Sequence, residues 1–329
     1  MEKETNRIYS ETAYDDAFRT MEGECDDIVI DFVNHMFGER YDKTAVITRL
    51  RNEHFVEQED GTGRKRITDS SFEIRFGNVS KKYHMECESK KYDGTILVRI
   101  FEYDAQIALD NANRSLDKIH LKFPNTGLLL LRGSDKAPGK AGIEIELPGG
   151  EQVTYEVPIV KVSDFTIEEI FEERLFMLIP FYIFNYEDEL KVINDSEERM
   201  DRLMSAYAGI YDRLAHELEN GGLSVLSYSA IIRLIHSVAL KLTQKHDNVQ
   251  KKVGDMMGGK ILDLPEIRIY HEGLAKGDKE RKKLKTENDE LKTKNGELET
   301  KNDKLETENE ELKAVIVRLQ AENEQLKKA

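Results

Sequence analysis

Arg66-Ile67-Thr68-Asp69-Ser70-Ser71-Phe72-Glu73-Ile74-Arg75-Phe76, then Gly77-Asn78, then Lys81-Lys82-Tyr83-His84-Met85-Glu86-Cys87-Glu88-Ser89-Lys90 is the stretch on which the reading of this chain turns. Both flanks alternate apolar and polar residues as half-buried strands do, and Gly77-Asn78 has the composition of a two-residue hairpin loop. With that loop, Asp69 faces Glu86 across the ribbon. Side chains point alternately up and down, so Glu73, His84 and Glu88 share the face of that pair. Phe72, Ile74 and Phe76 meet Tyr83, Met85 and Cys87 on the other. One face is acidic and one is oily. A slip of one residue in register carries Asp69 to the opposite side.

Carboxylates facing each other at close range repel, so the pairing requires a compensating cation or a raised pKa. A divalent ion meets the requirement economically. Mg²⁺ takes carboxylate oxygens while keeping several waters, polarises a phosphodiester and lowers the pKa of an attacking water. The competing reading is a solvated outer face of an amphipathic hairpin, on which Lys82 and Arg75 neutralise Glu73, Glu86 and Glu88. Spacing alone leaves both readings open.

Around the hairpin, both periodicities alternate. A helix is expected near residues 13 to 37, carrying Phe18, Met21, Ile28, Phe32 and Met36. Thr95 to Asn113 returns to helical spacing, with Ile96, Ile100, Tyr103 and Ile107 in one row and Arg99, Glu102, Gln106 and Asp110 in another. Strands are expected at Leu128 to Leu131, Ile143 to Leu147 and Val153 to Val160, the last two joined by Pro148-Gly149-Gly150. Thr166 and Glu169 have the spacing of a capping box. This order predicts an α/β domain over residues 1–186. Residues 187–276 read as a helical subdomain, with one stripe through Met200, Leu203, Tyr207, Ile210 and Leu214 and another through Ile231, Ile235, Val238 and Leu242.

From Lys276-Gly277 the chain changes character. Leucines stand at 284, 291, 298, 305, 312, 319 and 326, an unbroken seven-residue repeat assigned to position d of a coiled coil. Position a reads Asn288, Asn295, Asn302, Asn309, Ile316 and Asn323. Buried Asn at a favours a parallel pair, because the amides bond across the axis. In that arrangement Glu287 meets Lys292, Lys294 meets Glu299, Lys301 meets Glu306, Glu308 meets Lys313 and Glu322 meets Lys327, all opposite in sign. Residues 277–329 are therefore expected to form a parallel homodimeric coiled coil about 80 Å long; a single solvated charged helix is the plainer alternative.

The 329 residues carry 49 Lys and Arg against 64 Asp and Glu, a net charge of −15, which argues against non-specific coating of nucleic acid but leaves room for a small basic cleft. The densest apolar stretch, Leu175 to Phe184, contains Pro180 and is too short to span a bilayer, so no membrane span is expected. Neither is a secretory signal expected from Met1-Glu2-Lys3-Glu4-Thr5. Cys25 and Cys87, the only cysteines, are too few for a disulfide framework or a four-thiolate zinc site and fit a reducing cytoplasm. Cys87 alternates to the oily face and reads as core. His84, on the acidic face, reads either as an exposed residue in an ion pair or as a group assisting at the metal. Gly61-Thr62-Gly63 lacks the Lys-Ser/Thr ending of a phosphate loop, and no small-molecule cofactor is implied.

Asp69, a hairpin and then Glu86-Cys87-Glu88-Ser89 resemble the catalytic motif of the PD-(D/E)XK nuclease superfamily. More narrowly, Asp15-Asp16-Ala17-Phe18-Arg19, Leu50-Arg51-Asn52-Glu53-His54-Phe55, Tyr83-His84-Met85-Glu86-Cys87 and Arg99-Ile100-Phe101-Glu102-Tyr103-Asp104 resemble the PD-(D/E)XK transposases and recombination-promoting nucleases. The likeness covers about residues 13 to 185, and the segment with Glu272-Gly273 is also similar. The resemblance implies a nuclease-like core, a mixed sheet flanked by helices, and DNA cleavage dependent on Mg²⁺, with Mn²⁺ as a substitute. Asp69 and Glu86 would hold the metal. Glu88 would be the third catalytic position, where the family carries Lys or, in this branch, Gln. There it is a departure: it adds a third acid that would serve as ligand or general base, or that has disabled the nuclease. A register with Glu88-Ser89-Lys90 as the motif restores the lysine and ranks second. Asp16 matches an acidic position on the first helix. Phosphate contacts would come from Lys65, Arg66, Lys81, Lys82, Lys90, Lys91 and Arg99. The competing function is an inactive nuclease fold whose coiled coil recruits a partner.

Overall fold

The structure is a computed structural model whose described residues are 13–50, 53–57, 63–67, 70–110, 112–133, 136–258 and isolated positions between 281 and 313; for 53–57 and 63–67 only the backbone is described. The chain divides into two compact units, Met1–Asp263 and Leu264–Ala329.

The first unit opens with α1 (Ala13–Glu24) and α2 (Asp26–Phe37). The single helix expected over this stretch is two, broken at Cys25, with Asp26 and Asp27 in the first turn of the second helix, where they complement the helix dipole. Gly38 ends α2 at φ 67°, a left-handed C-terminal residue that glycine adopts without strain. Next come β1 (Val46–Arg49), β2 (Glu53–Glu57), β3 (Gly63–Ile67), β4 (Ser70–Phe76) and β5 (Val79–Glu88). Gly77 turns the β4–β5 hairpin at φ 58°. The observed register pairs Phe76 with Val79 and Ser70 with Met85, the register expected from the two-residue loop. Asp69 lies outside the described residues.

Then follow α3 (Ile96–Asp110), β6 (Asn113–Arg114), β7 (Ile119–His120), β8 (Asn125–Leu130), β9 (Lys140–Glu146) and β10 (Gln152–Lys161). The main sheet has six strands in the order β1-β4-β5-β8-β10-β9. β5, β8 and β10 run parallel, while β1, β4 and β9 are antiparallel to their neighbours. β5 and β8 are joined through α3, as a parallel pair requires a crossover. The architecture is α/β, a mixed sheet flanked by helices, compatible with the expected nuclease-like core.

The helices cover the two faces by a simple division of side chains. Ile96 and Ile100 of α3 pack with Leu128, Leu130, Val157 and Ile159 in one apolar cluster. On the opposite face the Phe37 ring lies 5.0 Å from that of Tyr83, and Met36 and Phe37 lie so close over Gly127 that a Cβ there would collide with them. Glycine is thus what lets α2 approach β8. Phe72, Ile74, Tyr83 and Met85, all on this oily face as expected, are at most 1% exposed. Each such side chain contributes about 1.5–3 kcal/mol of burial.

After a short 3₁₀ turn (Val162–Asp164), the remaining elements are α4 (Ile167–Glu172), a longer 3₁₀ segment (Phe176–Glu189), α5 (Leu190–Asn194), α6 (Glu197–Glu219), α7 (Val225–Leu242) and α8 (Asp247–Gly258). Thr166 and Glu169 form the expected capping box on α4. Arg174 sits at φ 59°, a conformation costing about 1–2 kcal/mol, and is held there by bonds to Asp31, Glu217 and the Gly222 carbonyl. The helices α6–α8 belong to the same compact unit as the sheet, α7 packing on α1 and on the 3₁₀ segment. Contrary to the expectation of no such stretch, α7 has the length and apolarity to cross a membrane; half of it is buried inside the protein, where its apolar surface is used as core. In the second unit Arg281, Lys283, Leu284, Thr286, Asn288, Thr293, Lys294, Gly296, Lys301 and Lys313 are helical. The other heptad positions from 282 onward lie outside the described residues.

Candidate active site

The alternation of β5 sends Tyr83, Met85 and Cys87 towards α2 and sends His84, Glu86 and Glu88 towards α3. The acidic face is not the solvated surface of an amphipathic hairpin. His84 and Glu86 are 0% and 1% exposed, so the expectation of an exposed His84 is corrected. The cause is α3, which carries Asp104 on its apolar row four residues after Ile100 and so brings a buried carboxylate onto the sheet.

A chain of alternating charge results. Asp104 Oδ1 accepts from His84 Nδ1 at 2.7 Å and from Thr126 Oγ1 at 2.6 Å, and its Oδ2 accepts from the Tyr155 hydroxyl at 3.0 Å. On its other side, His84 Nε2 lies 3.0 Å from Glu86 Oε1. Glu86 Oε2 accepts from Arg99 Nε at 3.0 Å, and Arg99 Nη2 lies 2.9 Å from the same oxygen. Arg99 Nη2 is also 3.6 Å from Glu88 Oε2, while Glu88 Oε1 accepts from the Lys90 backbone N–H at 2.9 Å. Besides His84, the cation found against Glu86 and Glu88 is Arg99, where the competing reading placed Lys82 and Arg75. Lys82 instead stands opposite Glu73 in the hairpin register.

Exposure rises along this chain. The side chains of Asp104 and His84 are 0% exposed, Glu88 14% and Arg99 41%. Burial pushes the His84 pKa down, but hydrogen bonds to Asp104 and Glu86 and their charges outweigh it and raise it to about 9. The ring is thus an imidazolium at neutral pH and donates through both nitrogens.

The first helix also bears on the site through Asp15, while the expected Asp16 is exposed. Burial raises the Asp15 carboxyl above its usual range, Glu88 and Asp16 add to the rise, and Arg19 and Arg99 oppose it. Just beyond β5, Arg132 binds the Ser89 carbonyl through Nη1 and grips Glu187 at 2.6 Å and 2.7 Å. Its guanidinium lies 5.1 Å from the Phe184 ring centroid. Arg132, Lys91, Ser163 and Asn185 line a cleft beside the end of the strand.

Of the predicted site residues, Glu86 and Glu88 come together on one face, and Asp69 is outside the described residues. Glu86 and Glu88 supply hard carboxylate oxygens of the kind Mg²⁺ takes, and Glu86 Oε2 meets the Arg99 guanidinium. Among the described residues no three His, Cys, Asp or Glu side chains are gathered as for a metal ion. The described residues thus supply two carboxylates, and Arg99 is the cation that stands beside them. Of the basic residues expected to meet phosphate, Lys81 is paired with Glu39 at 2.6 Å and Arg99 is committed to the carboxylates. Lys90 and Lys91 are exposed, and the side chains of Lys65 and Arg66 are outside the described set. Cys25 and Cys87 are both buried, as expected for Cys87, and burial pushes the Cys25 thiol up to about 12.

Sequence reading did not pick out Asp104 as a buried partner, and it missed Thr126, Tyr155, Asp15 and Arg132. For Asp104 the signal was available: a carboxylate at helical spacing within the apolar row Ile96, Ile100 and Ile107.

The His84 ring should keep protons on both nitrogens until the pH approaches about 9 in metal-free buffer. Because the folded pKa exceeds the unfolded value of about 6.5, the stabilisation from this charge is complete below pH 6.5 and disappears as pH rises through about 9. Nitrogen-15 NMR of the imidazole reads this directly; a ring that titrates near 6.5 contradicts it. No family model, no curated protein and no solved structure matches the chain.

Proposed function

We propose that this protein is a metal-dependent DNA endonuclease of the PD-(D/E)XK transposase and recombination-promoting type, dimerised through residues 277–329. The observation that supports the reading is the placement of Glu86 and Glu88 on one face at the end of β5, with Glu86 held from behind by a buried His84-Asp104 pair. A solvated, decorative acidic face has no need of a buried imidazolium behind it. The buried arrangement fixes one carboxylate oxygen, and the other meets Arg99, which is 41% exposed.

In this proposal Asp69 and Glu86 hold Mg²⁺ or Mn²⁺, and Glu88 is the third catalytic group. Bound there, the ion would polarise the phosphodiester and acidify a water. This chain's own residues do the rest. His84 fixes the orientation of Glu86, Glu88 receives a proton as general base, and Lys90 and Lys91, exposed next to it, approach the phosphates of the strand. The proposed dimer brings two such sites to one duplex. Leu284, a d position, is 63% exposed in the single chain, which is the surface a second helix would cover. Two buried thiols without a disulfide accord with a cytoplasmic setting.

The second reading, an inactive nuclease fold that recruits a partner through the coiled coil, is favoured by Arg99, which already neutralises the acidic pair. Plasmid DNA incubated with the full chain and Mg²⁺ or Mn²⁺ separates the two. Nicking and linearisation should appear in the native chain and fall by about 100-fold or more in Asp69→Ala and Glu86→Ala. Cleavage that is absent with every metal, or that survives both substitutions, defeats the nuclease assignment.

For the coiled coil, sedimentation of the full chain should give a dimer at micromolar concentration, and truncation before Gly277 should give monomers or weaker dimers. A monomeric full chain rejects the pairing.

A further inference from the structure

We propose that the β6–β7 hairpin is a contact for duplex DNA, a ribbon whose tip enters a groove and whose basic side chains meet the phosphates on either side. This rests on the reading of DNA as the substrate and takes nothing from the carboxylates of β5.

Local bonding makes the ribbon a rigid projection. Asn113 pairs with His120 and Arg114 with Ile119, and the chain turns through Leu116 and Asp117. The Ser115 N–H closes the turn by donating to the Lys118 carbonyl at 2.9 Å, and the Ser115 hydroxyl lies 2.9 Å from Asp117 Oδ1. At the base, the Phe123 ring centroid lies 6.4 Å from that of Phe101 on α3 and 5.8 Å from that of Tyr155 on β10, which fixes the ribbon to the body of the unit. Beyond this anchor every residue from 113 to 122 is exposed.

Three observations select the occupant. The first is charge. Residues 113–122 carry Arg114, Lys118 and Lys122 against Asp117 alone, in a chain whose net charge is −15. Arg99, Arg132 and Lys81 are each committed to carboxylates, whereas these three have no ion-pair partner among the described residues. The second is the tip, where Leu116 is fully exposed and serves no core. An apolar side chain so placed contacts bases when a ribbon enters a groove. The third is the distribution of the cations. Directly paired residues share a face, so Arg114 lies with Ile119, and alternation sends Lys118 and His120 to the other side. A groove has a phosphate backbone along each rim and meets cations on both faces of an inserted ribbon; a flat anionic membrane meets only one. The major groove, about 12 Å wide, admits a two-stranded ribbon.

The position makes it an anchor. α3 carries the chain from the Glu88 end of β5 back to the start of β8, so the ribbon stands at the other end of the sheet, about a helix length of 20 Å from Glu88. It holds the duplex at a distance from the carboxylates and takes no part in bond cleavage.

The test is fluorescence anisotropy of a labelled duplex with the full chain, in EDTA and over a range of salt, so that binding is read without cleavage. The triple variant Arg114→Gln, Lys118→Gln, Lys122→Gln should bind about tenfold more weakly at about 0.1 M salt and lower the slope of log affinity against log salt by about 2 to 3. Leu116→Ser should weaken binding severalfold with the slope unchanged, because an apolar contact releases no counterions. A control that removes equal charge from exposed lysines of another region, Lys245→Gln, Lys251→Gln, Lys252→Gln, should bind as the native chain does. Native binding that persists in the hairpin triple, or falls equally in the control, overturns the hairpin contact and leaves the DNA reading standing. No duplex binding by the native chain overturns both. Capture by phosphatidylserine vesicles that is lost in the triple, with duplex binding retained, overturns DNA as the occupant. Should the triple fail to fold, Lys118→Gln alone decides: the slope should fall by about 1, and an unchanged slope overturns the contact.

Discussion

The hydrogen-bonded contact of His84 with Asp104 on one side and Glu86 on the other is the constraint around which the first unit is arranged. A buried carboxylate with no partner costs several kcal/mol, and so does a buried imidazolium. Placed at 2.7 Å and 3.0 Å they compensate one another, but only while four elements keep their register. β5 supplies His84 and Glu86, α3 supplies Asp104, and β8 and β10 supply the Thr126 and Tyr155 hydroxyls that satisfy the remaining lone pairs. The parallel pairing of β5 with β8 and the crossover through α3 are thus tied together by polar contacts as well as by the apolar cluster around Ile100 and Leu128. An apolar core alone tolerates small shifts of a helix along a sheet; this chain of bonds does not.

The same contact explains why the site is asymmetric. Charge becomes progressively more accessible from Asp104 outward to Arg99. The inner groups are set by packing, and the outer pair, Glu88 and Arg99, is set by electrostatics in contact with water. Glu88, the departure from the family's Lys or Gln, does not stand as an unpaired third acid, because Arg99 lies 3.6 Å from its carboxylate and the Lys90 N–H caps its other oxygen. A lysine at position 88 would meet Arg99 with like charge, so the acid at 88 and the arginine at 99 are compatible as a pair.

Much of this was legible in the sequence. The Gly77-Asn78 loop fixed the β4–β5 register to the residue, and strict alternation then assigned every side chain of β5 to its face. The Thr166 capping box is an equally local signal. What was not legible is which element covers the acidic face, since alternation says where His84 points and not what waits there. Asp104 could be found only by noticing a carboxylate on the apolar row of α3, and Tyr155 comes from a strand about 70 residues away in sequence. Likewise the break at Cys25 is announced only by Gly23, and a single glycine within a helical pattern does not by itself end a helix, while β1 and β2 are too short for periodicity to reveal.

The most direct measurement is a double-mutant cycle on folding stability with His84→Gln and Asp104→Asn, followed by chemical denaturation. Each single substitution strands a buried partner and should cost about 3 kcal/mol or more. The double variant should lose far less than the two losses together, leaving a coupling of about 1.5 kcal/mol or more. Strictly additive losses, or single losses within about 0.5 kcal/mol of zero, would mean that Glu86 is not positioned through a buried charge chain.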